Sequence, residues 1–110
     1  MSSSSLDVVT LNVGGQKFMT TRHTLSAKED SFLAKLEKHN LDGEIFIDRD
    51  PTVFHLILNY LRDDRVVFPA DGLTAALLFQ EAKYYKLDKL VEMISMKSLN
   101  SNGYMDLKEF

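Results

Sequence analysis

The sequence predicts an α/β fold in which a short β-hairpin and a third strand are covered by helices. Three observations predict it. Two β-rich runs, Val8–Val13 and Lys17–Arg22, flank the pair Gly14-Gly15. A third β-rich run, Glu44–Asp48, stops at Asp50-Pro51. Apolar residues then recur at helical spacing through three successive segments, giving the order β-β-α-β-α-α-α.

The first two runs read as a hairpin because glycine enters the positive-φ region without a Cβ clash. Thr24-Leu25-Ser26 begins a turn. A helix is expected over 31–38, where Phe32, Leu33 and Leu36 fall at helical spacing and Ser31 or Asp30 can cap. Asn40–Gly43 has the composition of a turn. At the next junction Asp50 can cap and Pro51 suits the first helical position. A strong helix is expected from Thr52 to Arg62, with Val53, Phe54, Ile57, Leu58 and Leu61 on one stripe, widened by Leu56 and Tyr60. Val66-Val67-Phe68 reads as a short extended piece closed by Pro69. Asp71-Gly72 opens a helix over 73–85, apolar at Leu73, Ala76, Leu77, Phe79 and Ala82. A last helix follows over 88–96 with Leu90, Val91 and Ile94 inward.

Composition narrows function. A chain of 110 residues allows one domain and one core, burying roughly 65% of its unfolded surface. Lys and Arg number 13 against 16 Asp and Glu, so a basic nucleic-acid footprint is not expected. No apolar run approaches the ~20 residues of a membrane span. The opening Met1-Ser2-Ser3-Ser4-Ser5 lacks the apolar segment of a secretory signal. Zero cysteine excludes disulfides, thiolate metal sites and a cysteine nucleophile. A reducing, cytoplasmic setting is the expectation. The domain is placed at 7–96, between a tail at 1–6 and a C-terminal tail at 97–110.

No catalytic constellation emerges, and the chain is read as a non-enzyme without cofactor. Gly14-Gly15 runs into a strand, whereas a phosphate loop runs into a helix N-terminus. His23, His39 and His55 lack a second ligand at i+3 or i+4, so no zinc site is expected. Asp48-Arg49-Asp50 is the densest polar cluster beside a strong apolar element, and reads as an ion-pair and capping cluster. Strand alternation would put Asp48 and Asp50 on one side and Arg49 on the other. The C-terminal tail carries part of an EF-hand-like calcium loop, with oxygen donors at Asn100, Asn102, Asp106 and Glu109 around Gly103. Ser98 stands where the first Asp belongs, and no exiting helix is expected after Phe110. The tail is therefore read as polar chain, and no metal is assigned.

The stretches Leu11–Phe18, Thr20–Leu25, Ile45–Pro51, Phe54–Arg62 and Leu77–Tyr85 together resemble the BTB/POZ fold of the potassium-channel tetramerisation type. The nearest group is the KCTD proteins (potassium channel tetramerisation domain-containing). The resemblance covers about 8–94. It departs at Lys28-Glu29-Asp30, where many relatives carry proline before the helix, and in the missing cysteine of the intersubunit zinc site of several channel subfamilies. The latter favours the KCTD group over a channel assembly domain.

The resemblance implies an interaction module. Such domains form rings of four or five identical subunits, and many KCTD proteins bind a cullin and act as substrate adaptors of a ubiquitin ligase. Head-to-tail rings need directional contacts that fix register. Asn12, Arg22, Asp48, Arg49 and Asp50 are the candidates for that seam, with local roles open for Asn12 in the hairpin and Asp50 as a cap. A helical cullin-like partner would need an apolar groove with a polar rim. Candidates are His39, Asn40 and Leu41, then Leu61, Asp63 and Asp64, then Tyr84 and Tyr85, at least one of that tyrosine pair being expected in the core. The substrate protein is not specified. The alternative implied is the assembly domain of a voltage-gated potassium channel subunit or another oligomer scaffold.

Overall fold

The computed structural model describes residues 7–40 and 43–100. Strands β1 (Val8–Val13) and β2 (Gln16–Thr21) form the expected hairpin, closed by the pair Val13↔Gln16. Gly14 and Gly15 turn with φ of +57° and +104°. This is the two-residue connection whose twist matches that of paired strands.

After β2 the chain makes one helical turn, α1 (Arg22–Leu25), where the sequence suggested only a turn. The Thr21 side chain caps it at the Thr24 amide, and Leu25 is fully buried. Helix α2 (Phe32–His39) starts at the Ser31 cap, whose hydroxyl accepts from the Ala34 amide at 3.2 Å. Strand β3 (Ile45–Ile47) then returns parallel to β1, giving a three-stranded sheet in the order β2-β1-β3. The crossover through α1 and α2 puts β1 in the centre.

Helix α3 (Phe54–Asp63) begins two residues later than expected. Asp50 does not cap it, and Pro51 is not its first residue. The Asp50 carboxylate instead accepts from the Thr52 amide at 2.8 Å and the Thr52 hydroxyl at 2.6 Å. The chain needs this extra turn to swing from the strand into the helix, so the helix opens at Val53 without a side-chain cap. The expected stripe is otherwise in place. Val53, Phe54, Ile57, Leu58, Tyr60 and Leu61 are all buried.

Residues 65–69 carry no regular structure; Val66 and Phe68 pack on the core while Val67 points out. Helix α4 (Gly72–Tyr84) opens at Asp71, whose carboxylate accepts from the Thr74 amide at 2.8 Å. Its inward residues include Ala76, Leu78 and Ala82, but Leu73 lies in the first turn, beyond the core's edge, and is 72% exposed. Helix α5 (Asp88–Asn100) runs four residues past the expected end and buries Leu90 and Ile94. The core fills the space between one face of the sheet, presenting Val9, Leu11, Val13, Ile45 and Ile47, and the helices.

Candidate interaction surface

The most ordered polar cluster sits where β3 ends. The strand stops at Ile47, so the alternation expected across 48–50 does not apply. The Arg49 amide turns back to the Ile47 carbonyl at 2.9 Å, which aims its side chain at α4. There the guanidinium forks onto Glu81, Nε to Oε1 at 3.0 Å and Nη2 to Oε2 at 2.7 Å. Glu81 is buried, 5% exposed. A carboxylate so deep is tolerable only with a geometrically matched partner, and the two-pronged guanidinium supplies one. The same contact raises the Arg49 pKa above its already high value. Three residues on from Glu81 in α4, the centre of the Tyr84 ring lies 4.2 Å from the guanidinium carbon.

Tyr84 ends a relay of edge-to-face rings. Phe18 meets Phe54 at 5.0 Å, Phe54 meets Tyr85 at 5.5 Å, and Tyr85 meets Tyr84 at 5.1 Å. Phe32 closes on Tyr84 at 5.4 Å. The core thus reaches the surface at Tyr84, which stays 39% exposed. Asp48 and Asp50 flank Arg49 and are exposed. Hydrogen bonds from Thr52 hold the Asp50 carboxyl below the usual carboxylate range.

The other seam candidates divide between the two ends of the sheet. Asn12 lies at the hairpin end with Asp48–Asp50. Its Oδ1 accepts from the Gly15 amide at 2.8 Å, and its Nδ2 donates to Glu44 at 3.3 Å. Arg22 follows β2 at the opposite end, about 17 Å of strand away. It donates to the Glu37 carboxylate at 3.3 Å and the Asn40 carbonyl at 3.1 Å, tying α1 to the end of α2. The five residues therefore form two patches.

The partner-binding candidates also divide. His39 and Asn40 close α2, with His39 Nδ1 2.9 Å from the Lys35 carbonyl oxygen and Asn40 Nδ2 donating to the Leu36 carbonyl at 2.8 Å. Leu41 lies outside the described residues. Leu61 and Tyr85 need correction as partner contacts. Leu61 is 4% exposed and Tyr85 0%, because Leu61 lies on the core side of α3 and Tyr85, the residue that caps α4, turns its ring into the core. Burial also raises the Tyr85 phenol far above its ordinary value. Asp63 and Asp64 are exposed at the end of α3, where Asp64 adopts φ +60° and pairs with Lys28. Beside that pair, Lys28, Ser31, Tyr60, Lys86 and Asp88 help line an open cleft of about 450 Å³.

Of the calcium-loop candidates, Asn100 is the last residue of α5, and Asn102, Asp106 and Glu109 lie outside the described residues. Among the described residues no group of three or more His, Cys, Asp or Glu could hold a metal ion. No helix among them is long and apolar enough to cross a membrane.

Sequence reasoning missed Glu81 as the partner of Arg49. Its signal was a lone carboxylate between Phe79 and Ala82 on a helix otherwise read as apolar. It also missed three large apolar side chains on the outer sheet face, Val8, Met19 and Phe46, each more than half exposed.

Compared with known proteins, residues 9–94 match the BTB/POZ domain. The chain belongs to the BTB/POZ family. The potassium channel regulatory protein of Mus musculus is 40% identical over 106 residues, 91% of this chain and 40% of its own length. The human BTB/POZ domain-containing protein KCTD21 is 37% identical over 99 residues, covering 84% of this chain and 38% of the relative. SH3KBP1-binding protein 1 of Rattus norvegicus is 40% identical over 97 residues, 83% of this chain and 14% of the relative. The chain thus spans two fifths or less of each of these relatives. BTB/POZ domains of this type serve in protein–protein interaction and oligomerisation.

Proposed function

We propose that this BTB/POZ domain assembles into a ring of identical subunits and presents that ring to a cullin scaffold, as the adaptor of a cytoplasmic ubiquitin ligase. The observation that carries the reading is the match across residues 9–94 to a family of oligomerising interaction domains, with KCTD proteins among the relatives. Two features of the surface support it. The seam candidates form two patches at opposite ends of the sheet, as a head-to-tail contact requires, since it joins unlike surfaces of neighbouring copies. Arg49 is locked on Glu81 and Tyr84, so the exposed Asp48 and Asp50 flank a fixed point and can supply directional contacts. His39 and Asn40 at the end of α2, Asp63 and Asp64 at the end of α3, and the exposed edge of Tyr84 are the separate contacts offered to the cullin.

Native mass spectrometry and isothermal calorimetry against a cullin N-terminal domain test this reading. A closed assembly of four or five chains, or a multiple of it, with saturable cullin binding supports it. A single chain at micromolar concentration, or no heat of binding, overturns it.

The 40% identity to a potassium channel regulatory protein favours a second reading, co-assembly with a channel's own tetramerisation domain. Mixing the two domains and finding hybrid oligomers would select it over the cullin.

A further inference from the structure

The open cleft beside the Lys28–Asp64 pair holds opposite charges apart. It is bounded by the segment joining α1 to α2 and by the turn joining α4 to α5. The two are tied where the Phe32 amide donates to the Tyr85 carbonyl at 2.9 Å. Glu29 and Asp30 come from the first segment, Lys86 and Lys89 from the turn and the start of α5. All four are exposed, and among the described residues none of them forms an ion pair. The cleft's two other charges already have an electrostatic counterpart. Lys28 pairs with Asp64, and Asp88 lies in the first turn of α5, where the helix dipole favours an acid. What is left is an acidic wall and a basic wall that do not reach each other.

Two further features set this cleft apart from ordinary solvated surface. Lys86 holds φ of +58°, a conformation that glycine adopts without a Cβ clash. A lysine there instead of a glycine points to a use for its side chain. Tyr60 is 2% exposed and helps line the cleft, and its hydroxyl has no hydrogen-bond partner among the described residues. Burial holds its pKa above the ordinary value, so the phenol keeps its proton and can donate. The volume, about 450 Å³, falls within the ~300–1,000 Å³ of ligand sites.

We propose that the cleft binds a short extended segment of a partner protein in which an acidic and a basic side chain stand close together. The acidic side chain meets Lys86 and Lys89, and the basic one meets Glu29 and Asp30. The Tyr60 hydroxyl donates to an oxygen of the segment between them. A segment of a single sign is disfavoured, because one wall repels it. A protein segment suits the site better than a free zwitterion, since the cleft is open and the chain belongs to a family of protein-binding domains. The inference rests on that protein-binding reading, and on neither the ring nor the cullin. No residue placed in the ring seam lines the cleft.

Fluorescence anisotropy with the full chain tests it in any assembly state. The probes are dye-labelled, end-capped glycine peptides that carry one Glu and one Lys, in both orders, separated by one, two or three glycines. At least one is expected to bind saturably. Replacing its Glu or its Lys by Gln should weaken binding about fivefold, the size of an exposed ion pair. Lys86→Gln with Lys89→Gln, and Glu29→Gln with Asp30→Asn, should each do the same, with the far-ultraviolet circular dichroism unchanged. Tyr60→Phe should weaken binding about threefold, a neutral hydrogen bond. Lys35→Gln, on α2 and outside the cleft, should leave it unchanged.

Saturable binding by none of the peptides overturns the proposal. So does equal binding of the Gln-substituted peptides, or binding that neither pair of wall substitutions weakens. Competition by free glutamine at the same concentration also overturns it, because the site would then take a small zwitterion. Each of these results leaves the ring count and the cullin heat separately readable.

Discussion

Gly14 lies directly against the carbonyl of Arg49. A Cβ built on Gly14 would stand 2.3 Å from the Arg49 oxygen, and the residue holds φ of +57°. The Gly14 amide also donates to Ile47 at 2.9 Å. The hairpin turn is thus pressed onto the segment that launches Arg49 toward Glu81.

Substituting Gly14 should therefore be costlier than substituting its neighbour. Gly15 also has positive φ, but a Cβ there meets nothing within 4 Å. Gly14→Ala is expected to lose at least ~2 kcal/mol, combining the left-handed penalty with displacement of the backbone at Arg49. Gly15→Ala should lose only the backbone part, about 1–2 kcal/mol. Urea unfolding of the two variants checks the order; equal losses would refute the close approach.

Arg49→Ala leaves the Glu81 carboxylate buried and unpaired, whereas Glu81→Gln leaves Arg49 with a route to water. The first is expected to cost about 2 kcal/mol, set below the range for a fully buried pair because the Arg49 side chain keeps 30% exposure. The second should cost less. Thermal unfolding of both variants decides, and a larger loss for Glu81→Gln would contradict the asymmetry.

Tyr85 packs its ring fully inside, but its hydroxyl has no hydrogen-bond partner among the described residues. Tyr85→Phe keeps the ring and removes the orphan group. Stability is expected to be unchanged or raised by up to about 1 kcal/mol. A clear loss in chemical denaturation would mean that the hydroxyl is bonded in solution.

Acid should weaken the start of α4. Hydrogen bonds from Thr74 lower the Asp71 pKa in the folded chain. A lowered folded pKa stabilises above the unfolded value, about 3.9, and that contribution disappears as pH falls through the folded pKa. Asp71→Asn keeps an oxygen acceptor but not the charge. Wild type should exceed the variant at neutral pH, and the gap should close as pH falls below the unfolded value and through the lowered folded pKa. A gap independent of pH would show that the charge is immaterial.

Much of the fold was legible because its signals are local. The glycine pair marked the hairpin, the spacing of Phe54, Ile57, Leu58 and Leu61 marked the buried face of α3, and Ser31 and Asp71 marked helix starts through hydrogen bonds three residues long. The misreadings occurred where local chemistry competes with chain path. Asp50-Pro51 has the composition of a helix start, but the turn out of β3 takes up both residues. Leu73 sits at an apolar helical position and nonetheless overhangs the core.

By itself the sequence determined the hairpin, the helical stripes and, through its matched stretches, the BTB/POZ resemblance, because each depends on residues near one another along the chain. Only the tertiary structure decided that β3 returns parallel to β1, that Arg49 finds Glu81, and that Met19 and Phe46 share an uncovered face. Arg49 and Glu81 are 32 positions apart. Nothing in the local chain fixes such a separation until the packed core holds the two elements together.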